Sequence, residues 1–225
     1  MRWNVGWKWV GKALLAGLAL MSTAALLRAA APQPGALEAA VSRGDAAAVK
    51  TMLEQDRSAV TQRFEAGRTA LHLAAVEGQV EVAEVLLSFD AKVDARDRHG
   101  DTALHLAAAK GQLAIAKMLV ARGADVNARD ESGATPLAAA AFYQQAEVAA
   151  LLLAAHANPQ LANDTGDTPL HLAAEAGAVK AAELLVAHHA ALNARDDQGM
   201  TPLGEAEYFH EAALAAMLRR HGAQL

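Results

Sequence analysis

The segment Thr168-Pro169-Leu170-His171-Leu172-Ala173-Ala174 decides the fold, because close copies of it recur along the chain at a constant interval. The other copies begin at Thr69, Thr102, Thr135 and Thr201, so that successive copies are 33 residues apart. A glycine lies two residues before each of these threonines. This regularity indicates a repeat protein, in which each unit buries its apolar face against its neighbours.

The sequence pattern of each unit predicts two short helices. Threonine is a good N-cap, and in three copies a proline follows it, at the first helical position, where a missing N–H has no cost. A glycine such as Gly78 then separates this helix from a second one, for example Val80 to Ser88. The second helix is expected to end at a residue that tolerates a left-handed conformation. These residues are Asp90, Gly123, His156, His189 and Gly222.

The repeated segment, the glycine after it, the Leu-Leu or Leu-Val pairs and the stretch Gly123-Ala124-Asp125-Val126-Asn127-Ala128-Arg129-Asp130 closely resemble the ankyrin repeat family. The resemblance covers about residues 35–225. It implies an all-α solenoid of stacked helix-turn-helix units, joined by extended β-turn or hairpin loops, with a concave surface formed by turn tips and first helices. The predicted domain spans 32–225, with a degenerate cap at 35–66, repeats at 67–99, 100–132, 133–165 and 166–198, and a capping repeat at 199–225.

Residues 1–31 have the pattern of a signal peptide or an N-terminal membrane anchor. Three basic residues precede an uncharged apolar stretch over 13–27, which Arg28 and three alanines follow. This stretch is shorter than the ~20 residues that span a bilayer, although the apolar run lengthens when it is counted from Val10. We expect an exported, periplasmic protein. The alternative is an inner-membrane anchor with the repeats outside the cytoplasm, and membrane contact is expected only through this segment.

Composition argues against several kinds of site and partner. The chain has no cysteine, which excludes disulfides, thiolate metal sites and cysteine nucleophiles. Four of the 20 basic residues lie in the leader, so the rest of the chain holds 16 basic and 25 acidic residues and has a charge near −9. A field of this sign repels phosphate backbones, and nucleic acid is therefore not an expected partner.

The histidines do not indicate a metal site. By the family resemblance, the imidazoles of His72, His105 and His171 form hydrogen bonds within the repeat scaffold. The adjacent His188 and His189 would point in different directions on a helix and would not bind one ion together. We therefore predict no metal ligand among them.

The paired carboxylates do not indicate catalysis. Asp130-Glu131 and Asp196-Asp197 are expected in solvated turns, without the apolar pocket that raises a carboxyl pKa. No nucleophile motif or phosphate-binding loop accompanies them. We therefore predict no catalytic residue and no cofactor, and do not expect an enzyme.

Four aromatic residues occupy one equivalent pair of positions in two units, Phe142-Tyr143 and Tyr208-Phe209. In both units the turn histidine is absent and another residue replaces the glycine after the first helix. One interpretation is that the rings fill the space left by the histidine and by a longer helix. The other is that at least one ring of each pair faces the concave side and anchors a partner. The two can hold together.

The function predicted from these features is that of a non-catalytic, monomeric adaptor or scaffold that binds another protein through the concave surface. The predicted contact residues lie at the turn tips and near the ends of the first helices. They are Arg96, Arg98, His99, Asp101, Lys110, Arg129, Glu131, Phe142, Tyr143, Asp164, Asp167, Glu175, Arg195, Gln198, Met200, Tyr208 and Phe209.

Two alternative functions remain open at this point. One is a periplasmic accessory protein associated with stress, a metal or a small molecule, which would retain its ligand on purification. The other is a secreted effector directed at a host, which would leave the cell.

Overall fold

The structure, a computed structural model, describes residues 35–225. The predicted leader over 1–31, with its possible cleavage, lies outside the described residues. Within 35–225 no helix is long and apolar enough to cross a membrane.

The described helices follow one another in pairs, a first and a second helix in each unit. The first helices are α1 (Ala36–Ser42), α3 (Ala70–Glu77), α5 (Ala103–Lys110), α7 (Pro136–Phe142), α9 (Pro169–Glu175) and α11 (Pro202–Tyr208). The second helices are α2 (Ala46–Gln55), α4 (Val80–Ser88), α6 (Leu113–Ala121), α8 (Ala146–Ala154), α10 (Val179–Ala187) and α12 (Ala212–Arg220). Two short 3-10 helices, Arg57–Thr61 and Glu65–Gly67, connect α2 to α3.

The helices from α2 onward form two layers. In one layer α3, α5, α7, α9 and α11 contact one another in chain order, and in the other the second helices do the same. Alanines such as Ala74, Ala107 and Ala140 are fully buried between first helices, because a small side chain permits close packing. Leucines such as Leu104 and Leu119 fill the space between the layers. The described part of the chain is therefore the all-α repeat solenoid that the sequence predicts.

The threonine at the start of the first helices α3, α5, α7, α9 and α11 has the predicted N-cap position. Thr135, for example, accepts a hydrogen bond from the backbone N–H of Ala138 at 3.2 Å, and Pro136 follows it at the first helical position. Where a histidine is present it joins two units. Nδ1 of His72 accepts from the backbone N–H of Thr69 at 3.1 Å, and its Nε2 lies 3.0 Å from the carbonyl oxygen of Asp101 in the next unit. His105 and His171 make the equivalent contacts, which confirms the scaffold interpretation.

The turns between units are connected to one another by main-chain hydrogen bonds. The N–H of Glu131 donates to the carbonyl oxygen of His99 at 2.9 Å, and the N–H of Asp164 donates to that of Ser132 at 2.8 Å. Within a turn, Oδ1 of Asp130 accepts from the N–H groups of Ser132 and Ala134. The turns are thus fixed both internally and against their neighbours.

A side chain in the loop after each of the second helices α4, α6, α8 and α10 adds a further link between units. The main-chain N–H of Asn158 donates to Oδ1 of Asn127 at 2.8 Å, and that of Ala191 donates to Oε1 of Gln160 at 3.0 Å. Asp94 and Asn193 accept the corresponding bonds in the flanking units. These N–H groups lie in loops outside the helices, so the bonds satisfy main-chain donors while joining the units.

The conformation at the helix ends confirms one prediction and corrects another. Asp90, His156 and His189 have positive φ between 62° and 64°, as expected for left-handed helix ends. The longer first helix proposed for the two aromatic-containing units is wrong. Gln144 and His210 take left-handed φ values of 60° and 63° without being glycine, so α7 and α11 end at the same repeat position as α9, one residue before α3 and α5 do.

Candidate functional site

Two open grooves lie on one face of the repeat stack. We call this face, made of the first helices α3 to α11 and the turns before them, the turn face. Groove A has a volume of about 430 Å³ and lies over α5, α7 and α9. Groove B has a volume of about 410 Å³ and lies over α9 and α11. Each groove contains one of the two aromatic pairs.

Groove A has an apolar lining with charged residues among it. Leu106, Ala139 and Leu172 contribute apolar side chains from three successive first helices, and Phe142 and Tyr143 contribute rings. The charged lining residues are Asp101, Asp130 and Lys110. Such a combination suits an apolar side chain of a ligand that carries polar groups beside it.

Groove B is polar by comparison. Its lining consists of Gln198 and Met200 from a turn, Tyr208 and Phe209 at the end of α11, and the three acidic residues Asp167, Glu175 and Glu205. No basic residue belongs to this lining, all of which lies in the described part of the chain. The groove therefore has a concentrated negative charge beside exposed aromatic rings.

The aromatic pairs have nearly identical geometry in the two grooves. The ring centroids of Phe142 and Tyr143 are 5.1 Å apart with the planes at 90°, and those of Tyr208 and Phe209 are 5.1 Å apart at 87°. Edge-to-face contact of this kind is favourable and orients both rings.

The exposed fraction differs among the four rings of the aromatic pairs. Tyr143 is 54% exposed, Tyr208 70% and Phe209 42%, whereas Phe142 is half-buried. Three of the four rings therefore leave much of their surface open to solvent. Because α7 and α11 are followed by left-handed residues, no lengthened helix is available for the rings to pack against. Phe142 is the half-buried ring, and it also lines groove A.

Three carboxyl groups come together beside groove B. Carboxylate oxygens of Asp167, Asp196 and Glu205 lie within 4.8 Å of one another. Burial, and after it the negative charges of Asp196 and Asp167, raise the pKa of the Glu205 carboxyl to about 7. Carboxylates are ligands for hard cations. No second feature of the described residues points to a bound metal ion at this group, and we assign none.

Glu205 is a site residue that was not among the predicted contacts. The equivalent positions of the preceding units hold Leu73, Leu106, Ala139 and Leu172. A charged residue within this apolar series is the signal that identifies it. The residue at this helix position therefore contributes to the apolar lining of groove A and to the acidic lining of groove B.

Two other carboxyl groups on the turn face have raised pKa values. Burial, together with the charges of Asp97 and Asp130, raises the pKa of Asp101 to about 6. Burial and the charge of Asp167 also raise the pKa of Glu175. These groups hold protons more tightly than solvated carboxyls because burial, and after it the nearby negative charge, disfavours their ionised form.

The expectation that Asp196 lies in a solvated turn is wrong. Its side chain is buried, with 8% of the residue exposed. The reason is that Oδ1 turns inward and accepts hydrogen bonds from the N–H groups of Gln198 and Met200, both at 2.8 Å. Glu131 and Asp197 are exposed, as predicted for such turns.

The structure brings many of the predicted contact residues together and separates others from the grooves. Those lining groove A are Asp101, Lys110, Phe142 and Tyr143. Those lining groove B are Asp167, Glu175, Gln198, Met200, Tyr208 and Phe209. Outside both linings are Arg96, Arg98, His99, Arg129, Glu131, Asp164 and Arg195.

Three of the four arginines outside the grooves form side-chain bonds within the stack. Arg96 donates to the carbonyl oxygens of Gly100 and Arg129, the second of these in the next unit. Arg195 donates to the carbonyl oxygen of Gly199 at 2.5 Å and to that of Leu225 at 3.1 Å. The guanidinium of Arg129 pairs with the carboxylate of Asp164 at 3.2 Å. These side chains therefore stabilise the turns, a use that local sequence does not reveal.

Stacked helical pairs, turns joined edge to edge and shallow grooves on one face define a helical-repeat solenoid protein. The family model described as ankyrin repeats (3 copies) matches residues 37–130, 99–163 and 137–225. The chain belongs to the ankyrin repeat family. Ankyrin repeats generally bind other proteins, and the fold is typically non-catalytic.

A curated relative resembles part of the chain. The serine/threonine-protein kinase VIK of Arabidopsis thaliana is 45% identical over 56 residues, which is 25% of this chain and 13% of the relative. The chain thus spans only a small part of that kinase, and the kinase activity in its name is a property of that protein.

Proposed function

We propose that this protein is a non-catalytic adaptor that binds a partner protein through the turn face, with grooves A and B as the principal contact regions. The observation that carries the proposal is the pair of exposed aromatic clusters, one in each groove. Large aromatic side chains that remain exposed in a monomer are typical anchors of protein interfaces. Tyr and Trp side chains provide contact area at a small cost in side-chain entropy.

The rigidity of the turn face supports the proposal. Main-chain bonds between turns, the histidine links and the Arg96 and Arg195 bonds connect each unit to the next. A surface held in this way loses little conformational entropy when a partner binds.

Binding is a better account than catalysis for the raised carboxyl pKa values. The causes are burial and like charges on a shared surface, and the grooves are open. General acid catalysis needs a positioned reacting group in a protected site, and such a site commonly includes a nucleophile or a base of a different type. We therefore propose that the acidic groups contribute to recognition.

We also propose that the repeats function outside the cytoplasm, as a periplasmic or inner-membrane-anchored monomer. The support is the basic and apolar pattern over 1–31. Cell fractionation combined with N-terminal sequencing tests this: a mature chain in the periplasm indicates cleavage, and an intact chain in the inner membrane indicates an anchor. Recovery of the intact chain from the cytosol would contradict the proposal.

A comparison of affinity capture by three forms of the full chain tests the binding function. The test variant replaces Tyr143, Tyr208 and Phe209 by serine. The control variant replaces Lys117, Glu147 and Glu183, which are exposed on second helices, by serine. We expect a specific partner to be captured by the parent and the control, and to be reduced at least about tenfold with the test variant. Equal recovery with the test variant would contradict the proposal.

A further inference from the structure

We propose, resting on the proposed function, that the partner presents a basic segment, with an apolar side chain that enters groove A and a lysine or arginine side chain that enters groove B. The two grooves are equivalent in position but differ in chemistry. This difference specifies what each accepts.

The difference begins with one helix position. Groove A has Leu106, Ala139 and Leu172 at this position on three helices, and groove B has Glu205. An apolar side chain that enters groove A leaves water for an apolar surface, which is favourable. The same side chain in groove B would desolvate carboxylates without compensation.

Charge complementarity identifies the second contact. Asp167, Glu175 and Glu205 line groove B, and no basic side chain in that lining balances them. Groove A has Asp101 and Asp130 against the single basic residue Lys110. An acidic or neutral segment would leave these charges unbalanced, whereas a cationic side chain would pair with several of them.

The aromatic rings of groove B favour the same ligand. Tyr208 and Phe209 line this groove, and the faces of such rings attract ammonium and guanidinium groups. The proximity of Asp167, Asp196 and Glu205 disfavours full ionisation of the group when the groove is empty. A bound cation would reduce this repulsion, so the groove is suited to a positive charge that the chain itself does not supply.

The distance between the grooves limits the segment. The first helices α7, α9 and α11 pack in order, and packed helices have axes 8–10 Å apart, so the two aromatic pairs are separated by roughly 16–20 Å. An extended segment covers this distance in about six residues, and a helical one in about twelve.

Peptide selection on the full chain tests the inference. Random 16-residue peptides displayed on phage are selected against the immobilised protein. We expect the recovered peptides to carry net positive charge, with a large apolar residue and a lysine or arginine at one of the two spacings.

A selected peptide, synthesised with a fluorophore, then allows the affinity to be measured by anisotropy. The double variant Glu175→Gln, Glu205→Gln should bind about tenfold more weakly, because the pair of charges that recognises the cation is removed. The matched variant Glu147→Gln, Glu183→Gln removes two exposed carboxylates from second helices and should bind like the parent.

Acidic or uncharged peptides, the absence of any selected peptide, equal affinity of the Glu175/Glu205 variant, or self-association of the chain through the grooves would each overturn the inference. The proposed function is judged separately. If capture of a partner depends on Tyr143, Tyr208 and Phe209 but the selected peptides are not basic, the adaptor function stands and the basic segment is wrong.

Discussion

Glu205 shows how a single residue changes a repeat. The equivalent position is apolar in the preceding units. In its own unit the Glu205 side chain is partly buried, beside Asp196 and Asp167. Its raised pKa, about 7, means that the folded protein holds the proton more tightly than the unfolded chain does, whose value is near 4.5. Stability from this group is therefore present below pH 4.5 and is lost as the pH rises through 7.

We therefore predict that Glu205→Gln stabilises the protein at pH 8 by about 1 kcal/mol, with little effect at pH 4.5. The full pKa shift is discounted in this figure because solvent screens a partly exposed group. Urea unfolding of the parent and the variant at both pH values measures the difference. If the variant is less stable than the parent at pH 8, the Glu205 carboxylate makes a stabilising contact that outweighs its burial and the nearby negative charges.

His105 gives a pH dependence of opposite sign. Burial lowers its pKa below 6.5, and the hydrogen bond to the carbonyl oxygen of Ala134 opposes this shift only in part. The folded state thus binds fewer protons than the unfolded state. Stability from this group is complete above about pH 6.5 and falls as the pH decreases through the unfolded-state value toward the lowered folded-state pKa.

We predict that His105→Ala costs about 1–3 kcal/mol at pH 7.5, because it leaves the donor at Thr102 without its acceptor and breaks a link between units. The cost should decrease at pH 5, where the parent itself loses part of the contribution of His105. Unfolding measurements on both forms across this range provide the check, with His99→Ala, an exposed residue outside both grooves, as the control. A cost that does not vary with pH would contradict the assignment of a neutral, buried ring.

At the scale of the elements, the helices follow from local sequence. Threonine N-caps begin the first helices α3 to α11, prolines occupy the first position of α7, α9 and α11, and α4 spans Val80–Ser88, as the pattern predicts. Because Gln144 and His210 stand where other units have a glycine, the sequence wrongly predicted longer first helices in these two units. Both residues nevertheless adopt the left-handed conformation, which residue preference alone cannot show.

Two glycines allow the cost of an unfavourable backbone conformation to be separated from the cost of a steric contact. Gly100 and Gly123 both have left-handed φ, 76° and 79°. A Cβ on Gly100 would lie 2.7 Å from the backbone nitrogen of Glu131 in the next turn, whereas a Cβ on Gly123 would meet nothing within 4 Å. Gly123→Ala should thus cost about 1 kcal/mol for conformation alone.

Gly100→Ala should cost about 1–3 kcal/mol more than Gly123→Ala, because the next turn has to move and its bond to His99 is disturbed. Thermal unfolding of the two variants measures this difference directly. Equal melting temperatures would indicate that adjacent turns are not packed as described.

At the scale of the whole molecule, the repeat interval predicts the stack, and equivalent positions predict which face contains the aromatic pairs. What sequence could not provide is how side chains from different units combine. Asp167, Glu175 and Glu205 come from separate segments, and only the stacking of α9 on α11 places them in one groove. The scaffold function of Arg96 likewise depends on the next turn.

The negative charge of the turn face leads to a prediction about partner binding. If a basic segment binds in groove B, its affinity should fall as salt is raised from 50 to 500 mM, because ions screen exposed charges. The Glu175→Gln, Glu205→Gln variant should show a smaller salt dependence than the parent. Isothermal titration with the captured partner measures both, and an affinity independent of salt would contradict a charge-based contact.

The most direct test of the central claim, that the turn face binds a protein, is site-specific photo-cross-linking of the full chain in the cells that produce it. Benzoylphenylalanine replaces Tyr143 or Tyr208 on the turn face, and Glu183 on the opposite layer as the control. We predict one discrete cross-linked protein from positions 143 and 208 and little product from 183. Cross-linking from 183 alone, or equally from all three positions, would contradict the account.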